Sequence, residues 1–68
     1  MDEHAKAVAD RWADKRIVAL TGGMKPEAFD KHMLEFMRWG GWSEADAQAI
    51  CTRAQKLSER GLAECEQS

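Results

Sequence analysis

The chain has no tyrosine, a single proline, two cysteines and only six β-branched residues, two each of Val, Ile and Thr. Each scarcity excludes something. Six β-branched side chains are too few to furnish a sheet, whose half-buried surfaces draw on those residues. Two cysteines cannot staple a disulfide framework. Cys51 and Cys65 stand 14 residues apart; on one continuous helix that is about 21 Å, far outside disulfide reach. A bridge would need a reversal near Gly61, so reduced thiols in a cytoplasmic protein are expected. No apolar run approaches the roughly 18 residues that would span a bilayer, so no membrane association is expected. Met1-Asp2-Glu3-His4 is too acidic to open a secretory leader.

Bulk is scarce as well. Of the 30 apolar residues 11 are Ala, and only 17 are large. At 68 residues the chain falls below the size at which one core is comfortably stable. A single small domain over 1–68 is expected. It needs all three Trp buried, or a partner that supplies the missing burial.

What is present forms helix: Ala, Glu, Lys, Arg, Met and Leu. Two glycine pairs divide the chain into three segments. In the first, over 2–20, Ala5, Val8, Trp12, Ala13, Ile17 and Leu20 recur at helical spacing on one face. Thr21-Gly22-Gly23 breaks it, with Gly22 expected in the left-handed cap conformation. The second, over 26–39, opens on Pro26, which suits the first helical position. Met24 and Phe29 are placed as a hydrophobic staple, and Phe29, Met33, Phe36 and Met37 share a face. The third, over 43–60, opens on Ser43 with Asp46 three residues on, a short capping box, and with Trp42 facing Ala47. Ala47, Ile50, Cys51, Ala54, Leu57 and Ser58 form its apolar stripe. Gly61 reads as its C-cap, leaving a short C-terminal tail. The expected fold class is all-α, a compact three-helix bundle with Trp12, Phe29 and Phe36 filling the middle.

The formal net charge is only −2, and the excess acid lies in the last third of the chain. Acids open each helix and bases stand near the ends, as the helix macrodipole favours. One by-product is a basic corner at Gly22-Gly23, from Lys15, Arg16 and Lys25.

No residue pattern for catalysis or metal binding is evident. His4, His32, Cys51 and Cys65 form no close ligand pair of the kind a zinc site uses. Thr21-Gly22-Gly23-Met24-Lys25 lacks phosphate-loop spacing. Cys51 has no base in sequence reach, although His32 on the second helix is placed to face the third. No enzyme, metal or cofactor is expected. The second and third helices have the outline of a helix-turn-helix, with Gln48, Thr52 and Arg53 as readers. Glu44 and Asp46 at the reading end would repel phosphates, and no basic stripe is evident. Direct nucleic-acid binding is therefore not expected.

The most distinctive stretch is Arg38-Trp39-Gly40-Gly41-Trp42. Arg and Trp dominate interface hot spots, because each desolvates a large area at small entropic cost. The glycine pair lets both rings point one way. Against that stands a structural role, Trp42 as staple and Trp39 as core cap. Leu34 to Met37, Trp39 to Ser43 and Ala47 to Ile50 loosely resemble the helix–loop–helix of ubiquitin-associated domains over a short stretch. Met37 is not followed by Gly, so that family's Met-Gly-Phe loop is missing and no function is carried over.

The expected function is a small non-enzymatic protein-binding module. Short, motif-free chains rich in Ala and Trp are typical of phages and mobile elements, where they act stoichiometrically on a host complex, anti-CRISPR proteins being one class. The expected contacts are Arg38, Trp39, Trp42, Lys15, Arg16 and Lys25. The partner is a larger protein or complex, nucleic-acid-handling ones included, with the chain a monomer or homodimer. The alternative is a dimeric helix-turn-helix-like DNA-binding regulator.

Overall fold

A computed structural model describes residues 2–67, with side chains through residue 64. The side chain of Cys65 and all of Ser68 lie outside the described residues. Three helices form: α1 (Glu3–Thr21), α2 (Pro26–Trp39) and α3 (Glu44–Gln67). Four residues link each pair, so neighbours in sequence fold back on one another. His4 meets Trp42, Asp10 meets Arg53 and Arg16 meets Ser58, so α1 and α3 run in the same direction. Trp12 meets Phe36 while Arg16 meets Asp30, so α2 runs the opposite way. The result is an up-down-up three-helix bundle of 37 × 23 × 13 Å.

Both corners end their helix by the same backbone device. After α1, the Gly23 N–H donates to Leu20 O (3.1 Å) and Met24 N–H to Ala19 O (3.0 Å). After α2, the Gly41 N–H donates to Arg38 O and Trp42 N–H to Met37 O, both at 3.3 Å. These are paired Schellman motifs, which satisfy otherwise orphaned carbonyls and need a left-handed residue just past the cap. Gly23 (φ 101°) and Gly41 (φ 86°) supply it. The left-handed residue is thus Gly23, one later than the sequence suggests; Gly22 has φ −82° and is the cap itself. At the N-termini, Asp2 Oδ1 accepts from the Ala5 N–H (2.8 Å) and Ser43 Oγ from the Asp46 N–H (3.2 Å). Lys25 caps α2 without a side-chain bond, and Pro26 leaves one fewer donor to satisfy.

Most of the packing is between α1 and α3. Ala5, Ala9 and Ala13 of α1 and Ala47, Cys51 and Ala54 of α3 are buried in one core cluster, and all six side chains are small. Into the space left under α2 go Trp12, Phe29, Met33, Met37 and Ile50. Fully burying a side chain of that size stabilises by roughly 1.5–3 kcal/mol.

Three further residues or groups, Gly61, Phe36 and the tryptophans, differ from the expectation. Gly61 does not cap α3, which runs on to Gln67. A Cβ on Gly61 would lie 2.7 Å from Ile17 Cδ1, so the missing side chain leaves room for the tip of the Ile17 side chain. Phe36 does not fill the middle but is 57% exposed, because Phe29, Met33 and Met37 already occupy the inward face. Of the three Trp only Trp12 is buried; Trp42 is half-buried and Trp39 is 92% exposed.

Candidate docking surface on α2

The outward side of α2 carries His32, Glu35, Phe36 and Trp39, spaced so that they adjoin on one helix face. Together they line a shallow groove of about 270 Å³. Its footing is Trp12 of α1. That ring meets Phe29 edge-on at 5.9 Å, Phe36 at 5.2 Å and His32 at 6.5 Å. Lys15 Nζ sits 5.0 Å from its centroid, a cation–π contact. The aromatic cluster therefore begins in the core at Trp12 and Phe29, emerges through Phe36 and His32, and ends at Trp39 in solvent. His32 accordingly faces α1 rather than α3.

Arg38 and Trp42, flanking Trp39 in the sequence, are committed elsewhere. The Arg38 guanidinium donates twice to the Glu44 carboxylate, Nε at 3.1 Å and Nη2 at 2.8 Å. This fork ties the last turn of α2 to the first turn of α3 across the Gly40-Gly41 corner. The hydrogen bond from Arg38 and a second from Gln48 hold the Glu44 carboxyl below its ordinary range. The same hydrogen bond raises Arg38. Trp42 packs on the core and stacks on His4 at 5.4 Å. The two rings thus part company at the glycine pair: Trp42 turns in and Trp39 turns out.

The basic corner is also redistributed. Lys15 lies over Trp12, and Lys25 is exposed at the start of α2. Arg16, expected at the surface, is only 3% exposed. It follows Ala5, Ala9, Trp12 and Ala13 on the inward stripe of α1, so its position dictates burial and its charge must be matched. Asp30 of α2 matches it with two bonds (2.8 and 3.2 Å) and Ser58 of α3 accepts a third (2.9 Å). The Ser58 hydroxyl in turn donates to Gln55 O. This junction joins all three helices.

Sequence reasoning missed Phe36 and His32 as surface partners of Trp39. A usable signal exists: Phe29, Met33 and Met37, each four apart, complete an inward stripe, and Phe36 lies off it toward Trp39. Cys51 is buried, and burial, then the charge of Asp30, pushes its thiol up and away from a reactive thiolate. Among the described residues no three His, Cys, Asp or Glu side chains gather as a metal site, and no helix is long and apolar enough to cross a membrane. No protein-family model, curated protein or solved structure matches the chain.

Proposed function

We propose that the chain is a non-catalytic protein-binding module whose principal contact is the α2 aromatic ridge, Trp39 with Phe36 and His32. The observation that carries this is a tryptophan 92% exposed on a regular helix, next to a half-emerged phenylalanine anchored on the core. Exposed Trp on a rigid element is a hot-spot arrangement: its cover desolvates a large ring, and little side-chain freedom remains to be lost. Arg38, fixed by Glu44, forms the polar rim beside it. The role that suits so small a module is stoichiometric inhibition of a larger host complex, in the manner of anti-CRISPR proteins.

The DNA-binding alternative has less support. Of its three readers, Gln48 donates to Glu44 and Arg53 is partly offset by Asp10 at 3.4 Å, and the carboxylates of Glu44 and Asp46 stand at the reading end.

The test compares the chain with Trp39→Ala and Phe36→Ala/Trp39→Ala, each checked for helicity. In a CRISPR-immune bacterial strain, the parent chain is expected to restore plaquing by a targeted phage, and the double variant to lose that effect. In parallel, the immobilised parent should retain a host complex that the double variant releases. Identical retention by parent and double variant would refute the ridge. Steep salt-dependent binding of random duplex DNA would replace the module reading with the regulator.

A further inference from the structure

A second surface, on the other side of the bundle, gathers charge that the linear sequence disperses. Lys6 of α1 and Arg53, Lys56 and Arg60 of α3 line a groove of about 510 Å³ whose apolar floor includes Ala49 and Leu57. The cations on α3 span seven residues, about 10 Å or two helical turns. Among the described residues, Lys6, Lys56 and Arg60 enter no ion pair. Arg53 is incompletely neutralised: Asp10 Oδ1 is 3.4 Å from its Nε, and that buried N–H makes no hydrogen bond. A chain of formal net charge −2 thus keeps four cations around one groove.

The geometry points to an acidic amphipathic helix of a protein partner as the occupant of this groove. Two features select it. Cationic walls call for carboxylates, and a floor of Ala49 and Leu57 calls for aliphatic side chains between them, the pattern of helix-in-groove recognition. A polynucleotide fits less well. No aromatic ring lines this groove to stack a base, and a phosphate backbone makes no use of Ala49 and Leu57. The site is independent of the α2 ridge, which shares none of its residues.

The experiment uses the full chain and a fluorescein-labelled peptide of about 14 residues, four helical turns, with Leu at i, i+4 and i+7 and Glu on both flanks. Anisotropy is read at about 50 mM salt, where exposed charges remain weakly screened. Saturable binding is expected, weakened about tenfold or more by Lys56→Glu/Arg60→Glu and also by Lys6→Glu on the facing helix. Trp39→Ala should leave it unchanged, which separates this site from the ridge. A peptide with Ser in place of Leu should bind more weakly, since the floor is then unused.

The proposal is overturned if the Leu/Glu peptide shows no binding at about 1 mM protein. It is also overturned if both charge reversals leave the affinity intact, or if the Ser peptide binds equally well. Tighter binding of an oligothymidylate of equal charge would reassign the groove to nucleic acid. A concentration-dependent dimer abolished by Lys56→Glu/Arg60→Glu would reassign it to a second copy of the chain.

Discussion

Removing Asp30 strips most of the matching charge and hydrogen bonds from the buried Arg16 guanidinium. The Arg16 side chain is 4% exposed and that of Asp30 is 26% exposed, so solvent reaches the acid but barely the base. Asp30→Ala removes two of the three bonds to the guanidinium and leaves a buried cation with only Ser58 Oγ as acceptor. Breaking one partner out of a buried pair costs about 3–5 kcal/mol. Partial access of water to the acid argues for the lower end, about 3 kcal/mol. A domain of 68 residues has a total stability of roughly 3–10 kcal/mol at typical values per residue. Asp30→Ala is therefore expected to keep roughly 0–7 kcal/mol of stability, and to be marginally folded where the parent lies at the low end of that range. Urea unfolding followed by far-ultraviolet circular dichroism measures this. A double variant, Arg16→Met/Asp30→Leu, isolates the cause: it removes both charges, fills similar volume, and should recover most of the loss. A cost under about 1 kcal/mol for Asp30→Ala, an exposed-pair value, would show that the Arg16 charge is not effectively buried. A double variant no more stable than Asp30→Ala would show that the unmatched Arg16 charge is not the cause of the loss.

Other outcomes follow from the corners and the core. Gly41→Ala places a side chain at φ 86° and should lower stability by about 1–2 kcal/mol, read as a shifted urea midpoint. Gly61→Ala should stabilise by a few tenths of a kcal/mol. The helix-propensity gain is about 1 kcal/mol, and the clash is with the far end of the half-exposed Ile17, which can turn aside; a loss above about 1 kcal/mol would show that Ile17 cannot move. The Cys51 thiol is raised by burial and then by Asp30, so its folded pKa lies above its unfolded one. That sign means its contribution to stability is full below about pH 8.5, the unfolded value, and is lost as pH rises through the folded value. In a Cys65→Ser background the urea midpoint should fall above that pH, and Cys51→Ala should flatten the fall.

The helices were legible because their signals are local. Pro26, Ser43 and the two glycine pairs mark ends through bonds that reach only a few residues. The stripe of Ala47, Ile50, Cys51, Ala54 and Ser58 needs nothing beyond its own period. What escaped depends on contacts between helices. A glycine within a helical pattern can end the helix or admit a neighbour, and only the position of Ile17 decides this for Gly61. Arg16 stands at an inward position, but its charge argues for the surface until Asp30, 14 residues away, is known to meet it. The groove pairs Lys6 with bases of α3 more than 40 residues on, so charge sums by segment cannot reveal it. The outward turn of Trp39 and the inward turn of Trp42 likewise depend on His4 and the core claiming one ring and not the other.

The two Schellman corners have a consequence for how this chain can change. Both reversals are closed by N–H groups and carbonyls of the main chain, with Ser43 and the Arg38–Glu44 pair adding side-chain ties at the second, and the left-handed backbone falls on Gly23 and Gly41. Trp39 ends α2 immediately before such a corner, yet its ring contributes nothing to closing it. Substitution there is thus nearly free of structural penalty, and the same holds for Lys25 at the other corner. A chain built this way can replace its outermost side chains one at a time while its scaffold stays put. Its exposed α2 face can then be altered without the scaffold first having to be made stable again.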